Sequence, residues 1–134
     1  IIEVGGNVGD VECMILVETL RQMKYNNPSS FCFIHVGYIP INSMREQKTK
    51  PMQNSIVKLR ELGIVPDIII GRCAEKLNIR TINKLSKYSG IRKDRILSDP
   101  DVEDIYEIPL LLYNNLSKIF TDHFSLKKRE YLKW

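Results

Sequence analysis

Apolar residues along this chain fall into short blocks of two kinds, and the two kinds alternate. Ile1–Val4, Phe31–Tyr38 and Asp67–Gly71 are brief runs rich in β-branched and aromatic side chains, which predict strands. Between the first two, Cys13, Leu16, Val17, Leu20 and Met23 recur at close to the helical period, predicting a helix over about Val11–Tyr25 with that set as its core face. Further helices are predicted over Gln53–Leu62 and Asn78–Ser89, each followed by a glycine, Gly63 or Gly90, in a C-capping position. Beyond them Arg95–Ser98 reads as a short strand, Asp99-Pro100-Asp101 as a turn, and Pro109–Leu116 as a helix opened by a proline at its first position.

Strands alternating with helices predict an α/β fold with a mostly parallel sheet. Asp67-Ile68-Ile69-Ile70, bounded by Pro66 and Gly71, has the uninterrupted apolar character of a strand buried on both faces. Arg72 then falls at the carboxyl end of that strand, where such sheets gather ligand-binding side chains.

Two polar motifs flank the Phe31–Tyr38 strand. In the first, Glu3 to Glu12, Gly5, Gly6 and Gly9 occupy a strand-to-helix turn, where glycine permits left-handed backbone angles and close approach of a ligand to the main chain. Glu3 is placed at the carboxyl edge of the first strand as a Mg²⁺ ligand, since Mg²⁺ in nucleotide sites takes one or two protein carboxylates and completes its shell with water and phosphate. The structural alternative is a tight turn with Asp10 as helix N-cap. The motif fits neither the phosphate loop nor the dinucleotide fingerprint.

In the second motif, Glu46 to Ser55, Lys48 and Lys50 stand two apart, so an extended segment would send both ammonium groups to one side. Pro51 biases Lys50 away from helix and toward that extended form. Two converging cations suit a polyphosphate, and Thr49, Gln53 and Ser55 add neutral donors for ribose, base or phosphate. The alternative is a solvated loop.

Composition narrows the class. The chain has 134 residues, 43% hydrophobic and 27% charged, within the size of one domain able to bury a core. No stretch approaches the roughly 18 apolar residues of a membrane helix and no signal peptide is visible, so the expected location is cytoplasmic, with no membrane partner. Cys13, Cys32 and Cys73 are widely separated, lack zinc-type spacing and are expected to be free, half-buried thiols. His35 and His123 are expected to pack rather than to ligate or catalyse. The net charge is +4 and the pI near 9.0, partly from Lys127-Lys128-Arg129 and Lys133, which read as the solvated face of a terminal helix. No DNA-binding motif or aromatic single-strand platform accompanies them, so no nucleic-acid partner is expected.

Several runs, in this order, resemble the synthetase (amidoligase) domain of CTP synthase: Ile2 to Glu12, Glu18 to Gln22, Phe33 to Val36, Glu46 to Gln53, Leu62 to Ile69 and Val102 to Pro109. The resemblance extends to about Leu116. It implies an ATP-dependent, Mg²⁺-requiring ligase that makes CTP from UTP and ammonia, with ammonia supplied from glutamine by a separate glutaminase domain. The implied assembly is a homotetramer with its nucleotide site between subunits. By matched residue, Glu3 resembles the Mg²⁺ ligand, and Asp10, Val11 and Glu12 resemble part of the pocket for CTP as feedback inhibitor. Lys48, Thr49, Lys50, Pro51, Met52 and Gln53, with Lys84, resemble the UTP/CTP site. Arg72, Pro100, Asp101 and Val102 resemble the ATP-contacting part. No residue here is assigned a covalent catalytic role.

The chain departs from the family pattern at Asn7, Cys13, Met52 and Asn54, where Thr, Ser, Thr and His are expected, and at Pro100, which has no amide donor for adenine. Met52 removes a hydroxyl from the presumed phosphate-binding run. The sequence starts at Ile1 without Met, holds no Gly-x-x-x-x-Gly-Lys-Ser/Thr motif and shows no glutaminase portion. The resulting expectation is a partial three-layer domain, the P-loop NTPase-like synthetase half with the phosphate loop missing. Residues 1–134 would be the C-terminal half of an amidoligase domain, inactive alone. Two further readings stay open: a non-catalytic module that binds UTP or CTP, and a structural, oligomer-forming half-domain.

Overall fold

The computed structural model describes residues 1–127. Three parallel strands, β1 (Ile34–Tyr38), β2 (Ile68–Cys73) and β3 (Ile96–Pro100), form a sheet in the order β1-β2-β3. Ile34 pairs with Ile68 and Ile69 with Ile96, so β2 is the shared central strand. Four α-helices accompany them: α1 (Met14–Asn26), α2 (Lys50–Glu61), α3 (Ile79–Ser89) and α4 (Glu107–His123).

The alternation along β2 divides the core. Ile69 and Cys73 join Ile39, Met52, Ile56, Leu77, Leu85 and Ile96 in the cluster beneath α2 and α3. Ile68 and Ile70 point the other way, against Leu97 and Ile119, with Leu112, Leu116 and Phe120 of α4 closing that side. The sheet is therefore the middle of three layers, and the α/β class and buried central strand expected from the sequence hold. A smaller cluster of Cys13, Val17, Leu59 and Ile64, flanked by Val4 and Val8, fastens α1 and the glycine turn to the last turn of α2.

Local chemistry sets the helix ends. Gly63 has φ +77°, and the bonds Gly63 N–H to Arg60 O (2.8 Å) and Ile64 N–H to Leu59 O (3.0 Å) form the paired closure that glycine allows after α2. Gly90 ends α3 at φ +72°, and Asn78 caps its start by accepting from the Thr81 N–H at 2.8 Å.

Several boundaries differ from expectation. Residues 1–4 form no strand: Ile1 and Ile2 are exposed, and Val4 packs with the cluster between α1 and the end of α2 instead of against the sheet, although β1 keeps an open edge among the described residues. The Phe31–Tyr38 run becomes strand only from Ile34. The expected first helix opens with a 3-10 turn, Val11–Cys13, before α1, and of its predicted face only Cys13 and Val17 are buried. Leu16 and Met23 are exposed because the cluster they would join is limited to the last turn of α2 and the glycine turn. Asp99 and Pro100 extend β3 rather than forming a turn; Pro100 is tolerated at the end of an edge strand, where a missing amide costs little. Helix α4 starts at Glu107 and runs to His123, so Pro109 lies third in the helix, still within the first turn, whose amides have no intrahelical acceptor. Cys13 and Cys73 are fully buried, and Cys32 alone is half-buried. Lys127 lies past the end of α4, and the rest of the basic terminal run falls outside the described residues. Among the described residues no helix is long and apolar enough to cross a membrane.

Candidate functional site

The carboxyl edge of the sheet is built from three segments. After β1, residues 39–49 turn back on themselves through an antiparallel bridge between Ile41 and Gln47. Asn42 organises this turn: its side-chain oxygen accepts from the N–H groups of Met44 and Glu46, and Arg45 takes a left-handed φ of +58°. The turn is then fixed to the β2–α3 connection by Gln47, which donates to Lys76 O at 2.8 Å and accepts from Asn78 N–H at 3.1 Å. The third segment follows β3, where Asp101 N–H bonds to Cys73 O at 3.0 Å.

The lysine run is not extended. Thr49 already has helical angles (φ −82°, ψ −8°), Lys50 is the first residue of α2, and Pro51 is the second. Proline at that position loses no intrahelical bond, and docking Met52, Ile56 and Leu59 into the core outweighs the pre-proline preference for extended backbone. Lys48 and Lys50 therefore do not converge by strand alternation. Met52 is 1% exposed and lies under Gly37, where a Cβ would sit 2.7 Å from the Met52 Sδ. Thr49 is equally buried, and its hydroxyl accepts from the Gln53 side-chain amide at 3.1 Å. Two of the three neutral donors expected for a ligand, Thr49 and Gln53, are thus turned inward and engaged with each other.

What converges instead is a set of charges around Glu46. Its carboxylate holds the Lys48 ammonium at 2.5 Å. The hydrogen bond and charge of Lys48, followed by the charges of Arg80 and Lys84 from α3, hold the Glu46 carboxyl below its usual range. Lys48, which pairs with Glu46, and Lys84, whose charge reaches the same carboxyl, were matched separately in the sequence and act on one group. Arg80 joins them without having been singled out, as does Gln47. Arg80 lies one turn before Lys84 on α3, the helical spacing by which a second cation on that face could have been found.

Arg72 lies near the end of β2, in register with Asp99, and Cys73 is in register with Pro100. With Asp101 bonded to Cys73, the segment assigned to ATP is thus assembled at the same carboxyl edge.

The glycine turn lies elsewhere. Gly6 and Gly9 take positive φ (+83° and +97°), and Asp10 accepts from the Asn7 N–H at 2.8 Å. Asp10 precedes the 3-10 turn but its side chain closes the glycine turn instead of capping a helix. A Cβ on Gly9 would lie 3.6 Å from Lys58 Cδ, in the last turn of α2. At 1.5 Å per residue that is about 12 Å along the helix from Lys50. Glu3, exposed and off any strand, folds its carboxylate over Gly5, while Val11 and Glu12 face solvent. Glu3 is therefore not at the carboxyl edge of a strand, and within one chain Asp10, Val11 and Glu12 are not brought to Lys48.

A parallel α/β sheet flanked by helices, with cations gathered at its carboxyl edge, has the design of a ligand-binding α/β domain. The sequence model described as "CTP synthase N-terminus" matches residues 1–126, and the chain belongs to that family. It is 43% identical over 112 residues to the CTP synthase of Archaeoglobus fulgidus, covering 83% of this chain and 21% of the relative. Against the CTP synthase of Natronomonas pharaonis it is 45% identical over 113 residues, 84% of this chain and 21% of the relative. The CTP synthase of Haloarcula marismortui is 44% identical over 113 residues, 84% and 20% respectively. The chain spans about a fifth of the length of these curated relatives.

Proposed function

We propose that this chain is the C-terminal half of the amidoligase domain of an enzyme that aminates UTP to CTP at the expense of ATP. In that reaction ATP phosphorylates the uracil 4-oxygen, ammonia derived from glutamine attacks the activated carbon, and phosphate departs. The chain's part is to bind and orient nucleotides, since catalysis of this kind rests on positioning and charge neutralisation. The carrying observation is the Glu46–Lys48 ion pair on a turn that Gln47 pins to the start of α3, within reach of the charges of Arg80 and Lys84. Three cations around one displaceable carboxylate suit the triphosphate of UTP or CTP, which would take the place of Glu46 as their counter-charge.

Arg72 and the Pro100-Asp101-Val102 segment would contact ATP from the same edge. Pro100 can offer only its carbonyl there, because proline has no N–H. Glu3 fits a Mg²⁺ ligand in one respect: it is an exposed carboxylate on a glycine turn, and Mg²⁺ asks the protein for only one or two such groups. Bound Mg²⁺ would neutralise ATP phosphate charge.

Asp10, Val11 and Glu12 lie beside the opposite end of α2 from Lys48, so one CTP could touch both sets only if a second chain supplied one of them. This separation supports a nucleotide site shared between subunits; the homotetramer and its cytoplasmic location are proposed from the family resemblance alone.

Calorimetric titration of UTP and CTP into the intact parent protein and its Lys48→Ala variant tests the reading. Binding by the parent that is lost in the variant supports it. A folded parent that binds neither nucleotide refutes it.

A further inference from the structure

Cys32, Asp67 and His123 are far apart in sequence, yet a ligand atom from each lies within 4.8 Å of the others. They come from the segment leading into β1, the residue before β2 and the last residue of α4. All three are half-buried, at the margin of the apolar cluster between the sheet and α4. The site stands apart from the carboxyl edge, since the entry to β2 is at the opposite end of the strand from Arg72.

Two of the side chains are already oriented. The Asp67 bonds from Lys24 Nζ (2.5 Å) and Phe33 N–H (2.7 Å) both go to Oδ2, which leaves Oδ1 for another partner. His123 Nε2 is 2.9 Å from Phe31 O. A carbonyl only accepts, so Nε2 carries the proton and Nδ1 the lone pair. Metal-binding histidines are held this way, one nitrogen donating to a carbonyl while the other ligates. Phe124 stands edge-on to the imidazole at 4.8 Å and fixes its plane. Cys32 is a free thiol.

We propose that Cys32, Asp67 and His123 form a site for a thiophilic divalent cation of the zinc type, with a solvent molecule as fourth ligand. One sulfur, one imidazole nitrogen and one carboxylate oxygen make a donor set that suits Zn²⁺ and its tetrahedral geometry. Bonds of about 2.0–2.3 Å place tetrahedral ligands about 3.5 Å apart, so the three atoms must close in by about 1 Å. On binding, the thiol gives its proton to solvent as the sulfur–metal bond forms. The charges of Lys24, which is paired with Asp67, and of Arg95 reach the Cys32 thiol, and cations so placed oppose a bound dication. Bound metal would staple the end of α4 to the entries of β1 and β2.

Co²⁺ titrated into the intact parent protein, with Zn²⁺ competition, reads the site directly. The expected result is a thiolate-to-cobalt charge-transfer band that saturates with one cation per chain and is displaced by Zn²⁺. Cys32→Ser should abolish the band, His123→Ala should shift or abolish it, and Glu3→Gln should leave it intact. Absence of any band in the wild-type protein overturns the proposal, whatever the variants do. A band that survives in both Cys32→Ser and His123→Ala overturns it too, by placing the metal elsewhere. As a second readout, Zn²⁺ should raise the melting temperature of the wild-type protein and not that of Cys32→Ser. Equal shifts in both would again reject the site. None of these outcomes bears on nucleotide binding, so the proposal stands or falls independently of the ligase reading.

Discussion

Glu46 holds the ammonium of Lys48 at 2.5 Å, on a turn that Gln47 pins to the start of α3. The carboxylate is the counter-ion of Lys48, and under the proposed reading a nucleotide phosphate takes its place. Lys48→Ala in the complete enzyme is expected to weaken UTP and CTP together by about tenfold or more, the loss of one charge-assisted contact. Glu46→Gln should act in the opposite sense, tightening both by up to about fivefold, the range of an exposed ion pair. Calorimetry on both variants checks the pair of signs; unchanged affinity in Lys48→Ala would remove that residue from the site.

Glu3→Ala is expected to abolish Mg²⁺-dependent ligation by the complete enzyme while leaving UTP and CTP affinity in place, since Glu3 and Lys48 lie at different parts of the chain's surface. Activity assayed across a Mg²⁺ series decides it. Full ligation without Glu3 would defeat the metal assignment.

Met52 belongs to the matched run but acts by packing. At 1% exposure in the main cluster, its truncation to Ala is expected to cost about 2–5 kcal/mol of stability. CTP affinity, measured where the variant remains folded, should not change. Denaturant unfolding with parallel calorimetry separates the two effects.

Glycine substitutions should divide by mechanism. In Gly71→Ala the new methyl would meet Leu77 Cδ1 at 2.7 Å and Ile39 Cδ1 at 2.8 Å, crowding expected to cost about 1–3 kcal/mol. Gly90→Ala meets nothing within 4 Å, so only its left-handed backbone (φ +72°) opposes it, at about 1–2 kcal/mol. In a Leu77→Ala background the added cost of Gly71→Ala should shrink, while that of Gly90→Ala should not. Urea unfolding of the wild type, the three single variants and the two double variants tests this.

His35 gives the fold an acid limit. The ring is buried, Nε2 has no hydrogen-bond partner among the described residues, and burial lowers its pKa from the usual 6.5. The unfolded chain therefore takes up a proton near pH 6.5 that the folded chain resists. Stability from this group is complete above that value and falls as pH drops toward the lowered folded pKa. In His35→Leu the decline between neutral and mildly acidic pH should be shallower. Unfolding curves at several pH values would expose an identical decline in both proteins, which would assign it to other groups.

The α/β class, the buried central strand, the caps at Gly63 and Gly90 and the position of Arg72 were all legible in the sequence. Each depends on a local pattern or on a residue with special backbone freedom. What failed depended on neighbours. Ile1–Val4 has the composition of a strand, but its Val4 is drawn into the cluster beside α1, and Leu16 and Met23 keep helical spacing where only that small cluster covers the helix. Lys50 reads as extended when judged by Pro51 alone, and becomes helical because the next turns of α2 are anchored in the core. In the site, Lys48 and Lys84 were readable as matched residues. Arg80 was open to the same reading through its helical spacing to Lys84, whereas the bridge from Gln47 to the β2–α3 connection comes from the docking of two distant segments and carries no sequence spacing.

Because β1 and β3 never touch and each pairs only with β2, the order of assembly is constrained as well as the final architecture. Neither outer strand has a partner until β2 is in place, and each joins it across an intervening helix at similar loop-closure cost. The central strand is therefore expected to form part of the folding nucleus, which φ-value measurements on the three strands would check. Trimming Ile69 should chiefly slow folding, whereas trimming Ile34 or Leu97 should chiefly hasten unfolding, a kinetic asymmetry written into a three-strand order.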